Sequence, residues 1–238
     1  NGDGHGDLSV GAAYYESLSQ PNYYNPGAGL LYLGTEAGLH GSITPHVLQG
    51  NAGMGSGEQL GFHVAGVGDF NRDGLKDFVL VSRYDDRAAT EPDGLSYAAA
   101  CDPDGGGQIK NAASAYLYLG ARDSENLLQA DALIFGWDSV GIARVVGGFD
   151  FNGDGFDDFA LTDHLQDTGE VANHGVLRVV SGRSLASVSA GGDIPELCEQ
   201  IHEEAGEGYN MRLGFDLAEI GDLDRDDCDD LALGMPYF

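Results

Sequence analysis

One nine-residue stretch carries oxygen side chains at alternating positions: Asp150-Phe151-Asn152-Gly153-Asp154-Gly155-Phe156-Asp157-Asp158. With Asp150 as position 1, oxygens fall at positions 1, 3, 5 and 9, and glycine stands at position 6, where the chain must turn sharply. Hard oxygen donors around a tight turn suit Ca²⁺, which takes about 6–8 oxygens at roughly 2.3–2.6 Å. The pattern returns at Asp69–Asp77 and Asp222–Asp230, and in truncated form at Asn1–Asp7. The expected ligand set is Asp69, Asn71, Asp73 and Asp77; Asp150, Asn152, Asp154 and Asp158; Asp222, Asp224, Asp226 and Asp230; and, in the truncated loop, Asn1, Asp3 and Asp7. Position 7 (His5, Leu75, Phe156 and Cys228) would offer its backbone carbonyl, and Asp157 and Asp229 at position 8 are expected to face solvent. This makes three complete Ca²⁺ loops and one partial one.

An EF-hand loop closes its coordination with a carboxylate at position 12 and is flanked by helices. Position 12 is Val10, Leu80, Leu161 and Leu233, always aliphatic. A metal-free Asx-rich turn is the plainer alternative, but several carboxylates in one turn repel each other unless a cation is present.

Position 1 falls at Asp69, Asp150 and Asp222, steps of 81 and 72 residues, which marks a long internal repeat. Glycine-rich apolar runs precede the three complete loops: Leu60–Gly68, Val140–Gly148 and Leu213–Gly221. Short apolar runs follow at Leu8–Ala12, Phe78–Ser82, Phe159–Thr162 and Leu231–Pro236. They are too short for ordinary helices and read as strands, so each loop joins two strands. Third runs lie at Gly29–Gly34, Ala115–Gly120 and Gly175–Gly182, and fourth runs at Ile43–Leu48, Ala132–Phe135 and Leu185–Ser189. Four strands per repeat is the arrangement of a propeller blade. The repeat units run 1–68, 69–149, 150–221 and 222–238, within a single domain over 1–238. Residues 194–204, with Leu197 and Ile201 four apart, could form a short helix.

The whole is 238 residues with 11 Lys plus Arg against 39 Asp plus Glu, a formal charge of −28. Such a surface repels nucleic acid and anionic membranes, and no apolar run of about 18 residues spans a bilayer. Cys101, Cys198 and Cys228 match no zinc spacing and allow one disulfide at most. The histidines His5, His40, His46, His63, His164, His174 and His202 form no His-x-x-x-His pair. Ser181-Gly182-Arg183-Ser184 lacks the flanking glycines of a nucleophile elbow, and Gly53–Gly57 lacks the lysine of a phosphate loop. No catalytic constellation stands out, so a non-enzymatic role is expected.

Leu60-Gly61-Phe62 leading to Gly68-Asp69-Phe70-Asn71-Arg72-Asp73-Gly74, and Leu213-Gly214-Phe215 through Gly234-Met235-Pro236, resemble the FG-GAP repeat of integrin α-subunit propellers and their bacterial relatives. The resemblance runs over nearly the whole chain. Departures are Ile142 in place of Phe, Ser82-Arg83-Tyr84 and Thr162-Asp163-His164 in place of Gly-Ala-Pro, and Asp227 in place of the position-6 glycine. The family implies an all-β propeller of four-stranded blades with calcium loops between the first and second strands. About three blades are present, an incomplete toroid, so a fragment of a longer protein is expected. It further implies a secreted or cell-surface calcium-binding module for adhesion or interaction. The variable connections 14–28 (with Tyr14, Tyr15, Tyr23 and Tyr24), 84–113 and 163–174 would contact a protein or glycan partner. Two other roles remain in view: the propeller part of a secreted hydrolase or polysaccharide lyase, and a lectin-like sugar-binding propeller.

Overall fold

The computed structural model describes residues 1–16, 25–38, 44–49, 59–85, 112–122, 132–135, 144–167, 172–182, 201–205 and 209–237. Within these the chain is all-β, with thirteen strands in four antiparallel sheets. Sheet 1 holds β1 (Leu8–Ala12), β2 (Ala28–Tyr32) and β3 (His46–Gln49). Sheet 2 holds β4 (His63–Gly68), β5 (Asp77–Asp85), β6 (Ala112–Tyr118) and β7 (Ala132–Phe135). Sheet 3 holds β8 (Arg144–Phe149), β9 (Asp158–Asp163), β10 (Val176–Val180) and β11 (Ile201–Ala205), and sheet 4 holds β12 (Asp216–Gly221) and β13 (Asp230–Gly234). Strands follow sequence order within every sheet, so each is a meander of neighbouring strands.

The two-residue side-chain period of a strand gives each inner sheet two apolar faces. On β5, Phe78 and Leu80 join Leu31, Leu48, Tyr116 and Tyr118 in a core between sheets 1 and 2. The alternate residues Val79 and Val81 join Ala115, Leu117, Val145, Phe159 and Leu161 in a core between sheets 2 and 3. Sheet 3 repeats the scheme, Ala160, Leu177 and Val179 packing with Leu217 towards sheet 4. β9 and β10 are buried along their whole length, as strands covered on both faces must be. The sheets therefore stand face to face in succession. The first strands meet edgewise along the series: β4 contacts β8, and β8 contacts β12. Glycine allows the closest of these approaches, since a Cβ on Gly147 would lie 2.8 Å from the Val67 Cα.

A β-bulge recurs just before every complete loop, between Gly66 and Gly68, between Gly147 and Phe149, and between Glu219 and Gly221. The extra residue turns the strand out of the ladder and aims it into the loop. The Leu-Gly-Phe triplets have a structural task as well. The N–H groups of Gly61 and Phe62 both donate to the Val81 carbonyl, and those of Gly214 and Phe215 to the Gly234 carbonyl. Gly61 and Gly214 take φ of +82° and +78°, which suits glycine.

Most expected strands are present, with two corrections. Residues 201–204 are not helical: they lie in β11, paired from Val180↔Ile201 to Val176↔Ala205. A single i, i+4 apolar pair is a weak helix signal, and β10 would otherwise present an unpaired ladder. The fourth strand of the third repeat is thus β11; residues 185–189 lie outside the described residues, as do 194–200.

The inter-sheet core predicts the stability of the unit. Phe159 is fully buried, its ring 5.2 Å from that of Phe70. Phe159→Ala is expected to cost about 3–5 kcal/mol in urea unfolding. Val47→Ala, at an exposed position, should stay within about 0.5 kcal/mol.

Candidate metal centre

The nine-residue loops all leave the same end of the sheets, between β4 and β5, β8 and β9, and β12 and β13, with Asn1–Asp7 leading into β1. A tight loop turns its backbone N–H groups inward, where each needs an acceptor. The acidic side chains supply them by a repeated rule. Position 1 takes the N–H of position 6: Gly74 to Asp69 at 2.9 Å, Gly155 to Asp150 at 2.7 Å and Asp227 to Asp222 at 3.2 Å. Position 5 takes the N–H of position 7: His5 to Asp3 at 2.9 Å, Leu75 to Asp73 at 2.8 Å, Phe156 to Asp154 at 3.0 Å and Cys228 to Asp226 at 2.9 Å.

Position 9 has a different task. One oxygen takes the N–H of position 2: Phe70 to Asp77 at 2.8 Å, Phe151 to Asp158 at 2.9 Å and Leu223 to Asp230 at 2.8 Å. The other takes the N–H of a glycine just past the third strand: Gly34 to Asp7 at 2.8 Å, Gly120 to Asp77 at 2.7 Å and Gly182 to Asp158 at 2.8 Å. Position 9 thus ties the loop to the neighbouring strand connection. Burial pushes the carboxyls of Asp77 and Asp158 up to about 6, and the donated N–H groups only partly offset this. These are the carboxyls to which a nearby divalent charge would bring most relief.

Positions 4 and 6 are both left-handed, at Gly2, Arg72, Gly153 and Arg225, then at Gly4, Gly74, Gly155 and Asp227. Asp227 takes φ of +69°, a region that Asp tolerates better than most residues. The sequence marks only position 6 as needing this, because Arg72 and Arg225 disguise the other turn.

Position 8 corrects an expectation. Asp157 and Asp229 do not simply face solvent. Asp157 reaches back to loop Asp69–Asp77 and accepts the Asp69 N–H at 2.6 Å, with the Lys76 ammonium at 3.2 Å. Asp229 accepts the Asp150 N–H at 2.8 Å, and its own N–H donates to the Asp150 carbonyl at 2.8 Å. The loops Asp69–Asp77 and Asp150–Asp158 are therefore each capped by the next. The recurring Asp-Asp pairs at 157–158 and 229–230 are the signal that could have shown it. Position 4 of one loop also meets position 7 of the next: Gly2 faces Leu75, Arg72 lies over the Phe156 ring at 4.4 Å, and Gly153 faces the Cys228 thiol. Desolvation and the carboxylates of Asp226 and Asp150 push that thiol's pKa up, the opposite of a reactive cysteine. Cys101 and Cys198 lie outside the described residues.

The donor set fits a hard divalent cation by two observations. Asp69 Oδ1 is buried and has no hydrogen-bond partner among the described residues. In the last loop one carboxylate oxygen from each of Asp222, Asp224 and Asp226 lies within 4.8 Å of the other two. The other loops differ at position 3. There the amide of Asn1, Asn71 or Asn152 donates to the position-5 carboxylate at 3.1, 3.1 or 3.2 Å. Asp224 has no such donor, so three like charges converge. A cation would be held by positions 1, 3 and 5 with position 9 behind them, and would supply charge neutralisation.

No family model matches the chain, and no curated protein matches it. Among solved structures it is similar to rhamnogalacturonan lyase YesW, with 14% identity and a TM-score of 0.47 over 98% of this chain. The chain spans 38% of that lyase's length.

The loop-to-loop cap yields a direct prediction. Asp157→Ala strips the Asp69 N–H of its acceptor and should cost about 1–3 kcal/mol in denaturant unfolding. Lys76→Ala, removing an exposed partner of the same carboxylate, should change stability by less than about 0.5 kcal/mol.

Proposed function

We propose that the chain is a segment of a β-propeller whose blades are joined by calcium-filled loops, and that it serves outside the cell as an adhesion or interaction module. One observation carries this reading. Four loops of the same design lie at one end of four successive face-to-face sheets, each capped or touched by its neighbour. Calcium in this reading is structural. It neutralises the clustered carboxylates, of which the total of 39 acidic residues holds many, and stiffens the strand-to-strand turn. Millimolar extracellular calcium suffices even for weak sites. Loops so committed to holding sheets together leave partner recognition to the variable connections, of which residues 17–24, 86–111 and 168–171 lie outside the described residues.

The reading is tested by thermal unfolding with saturating Ca²⁺ and with excess chelator. Each site filled at a hundredfold excess over its Kd adds about 2.7 kcal/mol, so chelation should lower Tm markedly and Ca²⁺, added back, should restore it. An unchanged Tm, with no ion bound, would sink the calcium reading.

The last loop makes a sharper prediction. Asp224→Asn supplies the amide donor that the other loops possess. It should raise stability in chelator and reduce the gain on adding Ca²⁺. Equal gains in the variant and the parent would show that the convergence of Asp222, Asp224 and Asp226 does not govern binding.

A further inference from the structure

The end of the sheets opposite the acidic loops gathers arginine and histidine side chains. Three residues each six positions before position 1 of their loop, His63, Arg144 and Asp216, open β4, β8 and β12. Because those strands run side by side, the three meet: Arg144 Nη1 lies 3.2 Å from His63 Nε2, and Arg144 Nε 3.2 Å from Asp216 Oδ1. A second equivalent pair, six positions after position 9, is Arg83 and His164 at the far ends of β5 and β9. Arg83 lies over the rings of Phe62 and Tyr84 at 4.9 and 5.2 Å, and the Phe62 ring meets His63 edge-on at 5.1 Å. His164 meets the Phe215 ring edge-on at 5.3 Å, and Arg212, beside it in the turn before β12, lies over Tyr237 at 5.2 Å. Contacts run from Arg83 through Phe62, His63 and Arg144 to Asp216, and Phe215, next to Asp216 in the chain, meets His164.

This concentration is unexpected in a chain of net charge −28 with only 11 lysines and arginines. Arg144 is ion-paired with Asp216, and the guanidinium groups of Arg83 and Arg212 lie over aromatic rings. Burial, and then the guanidinium groups of Arg212, Arg144 and Arg83, hold His164 below its ordinary pKa; burial and Arg144 do the same for His63. Both imidazoles are thus kept neutral at pH 7 and leave the positive charge to the arginines. Two buried polar atoms here have no partner among the described residues, His164 Nδ1 and Arg212 Nε.

We propose that this end of sheets 2, 3 and 4 binds a carboxylate-bearing small ligand. The planar guanidinium fork matches a carboxylate in two-point geometry, and the partly exposed Phe215 and Tyr237 rings offer apolar faces beside it. Asp216 accepts hydrogen bonds from hydroxyl or N–H groups next to the carboxylate. A single negative charge fits better than a doubly charged phosphate, which the surrounding acidic surface repels more strongly. The proposal stands on residues remote from the calcium loops, and calcium is kept saturating in its test so that the two readings fail separately.

The test is ligand-observed NMR titration of the folded chain with glucuronate, glucose, N-acetyl-glutamate and inorganic phosphate. Arg83→Gln and Arg212→Gln variants are compared with Arg122→Gln, an exposed arginine outside the cluster. Each variant is first shown to unfold at the parent Tm. The expected result is that a carboxylate binds, that glucose does not, and that each cluster variant weakens binding about tenfold while Arg122→Gln leaves it unchanged. Stronger binding of glucuronate identifies a sugar acid as the source, and stronger binding of N-acetyl-glutamate an acidic side chain; either supports the site. Equal binding of glucose, tighter binding of phosphate, or cluster variants that bind like the parent would overturn it.

Discussion

The structure depends on carboxylates that satisfy backbone N–H groups inside tight loops. A nine-residue turn leaves most of its amides without a backbone acceptor, and those of Phe70 and Phe151, at the base of their loops, are wholly or partly buried. Aspartate at positions 1 and 5 closes the loop on itself, while position 9 fastens it to the third strand through Gly34, Gly120 or Gly182. The same group type, at position 8, then fastens one sheet to the next through Asp157 and Asp229. Removing the side-chain oxygens of Asp77, Asp157, Asp158 or Asp229 leaves a buried or partly buried donor orphaned, which costs more than the net worth of the bond.

Every other feature follows from that constraint. The bulge before each complete loop aims the strand at the acceptor set. Left-handed residues at positions 4 and 6 point the amides inward. With one end of each sheet held in register, alternate residues of β5, β9 and β10 fall on facing surfaces and build separate cores on both sides. The arrangement concentrates negative charge at the loop end, and this is why a cation is the natural complement there. At the opposite end, residues at equivalent repeat positions meet across strand edges, so a single substitution such as His63, Arg144 or Asp216 at one register position changes the chemistry of a shared surface.

Much of this was legible in the sequence because the repeat spacing and the strand period are local signals. Asp69, Asp150 and Asp222 mark the loops, and the apolar runs around them mark β4, β5, β8, β9, β12 and β13. The unread part is non-local. Asp157 and Asp229 look like surface residues until a neighbouring loop is placed against them. Arg72 gives no hint of a left-handed turn. Ile201–Ala205 becomes a strand because β10 needs a partner, a demand absent from its own residues. The His63–Arg144–Asp216 contact is visible as a matching offset only once the strands are known to lie side by side.

The claim that cations complete this row of loops is tested most directly by counting ions. Equilibrium dialysis of the chain against Ca²⁺, followed by metal analysis, should give one ion for each complete loop, three in all, and fewer when Asp69, Asp150 or Asp222 is replaced by Ala. A chain that retains no Ca²⁺ at millimolar concentration while keeping its fold would show that hydrogen bonding alone holds the loops, and would contradict the account.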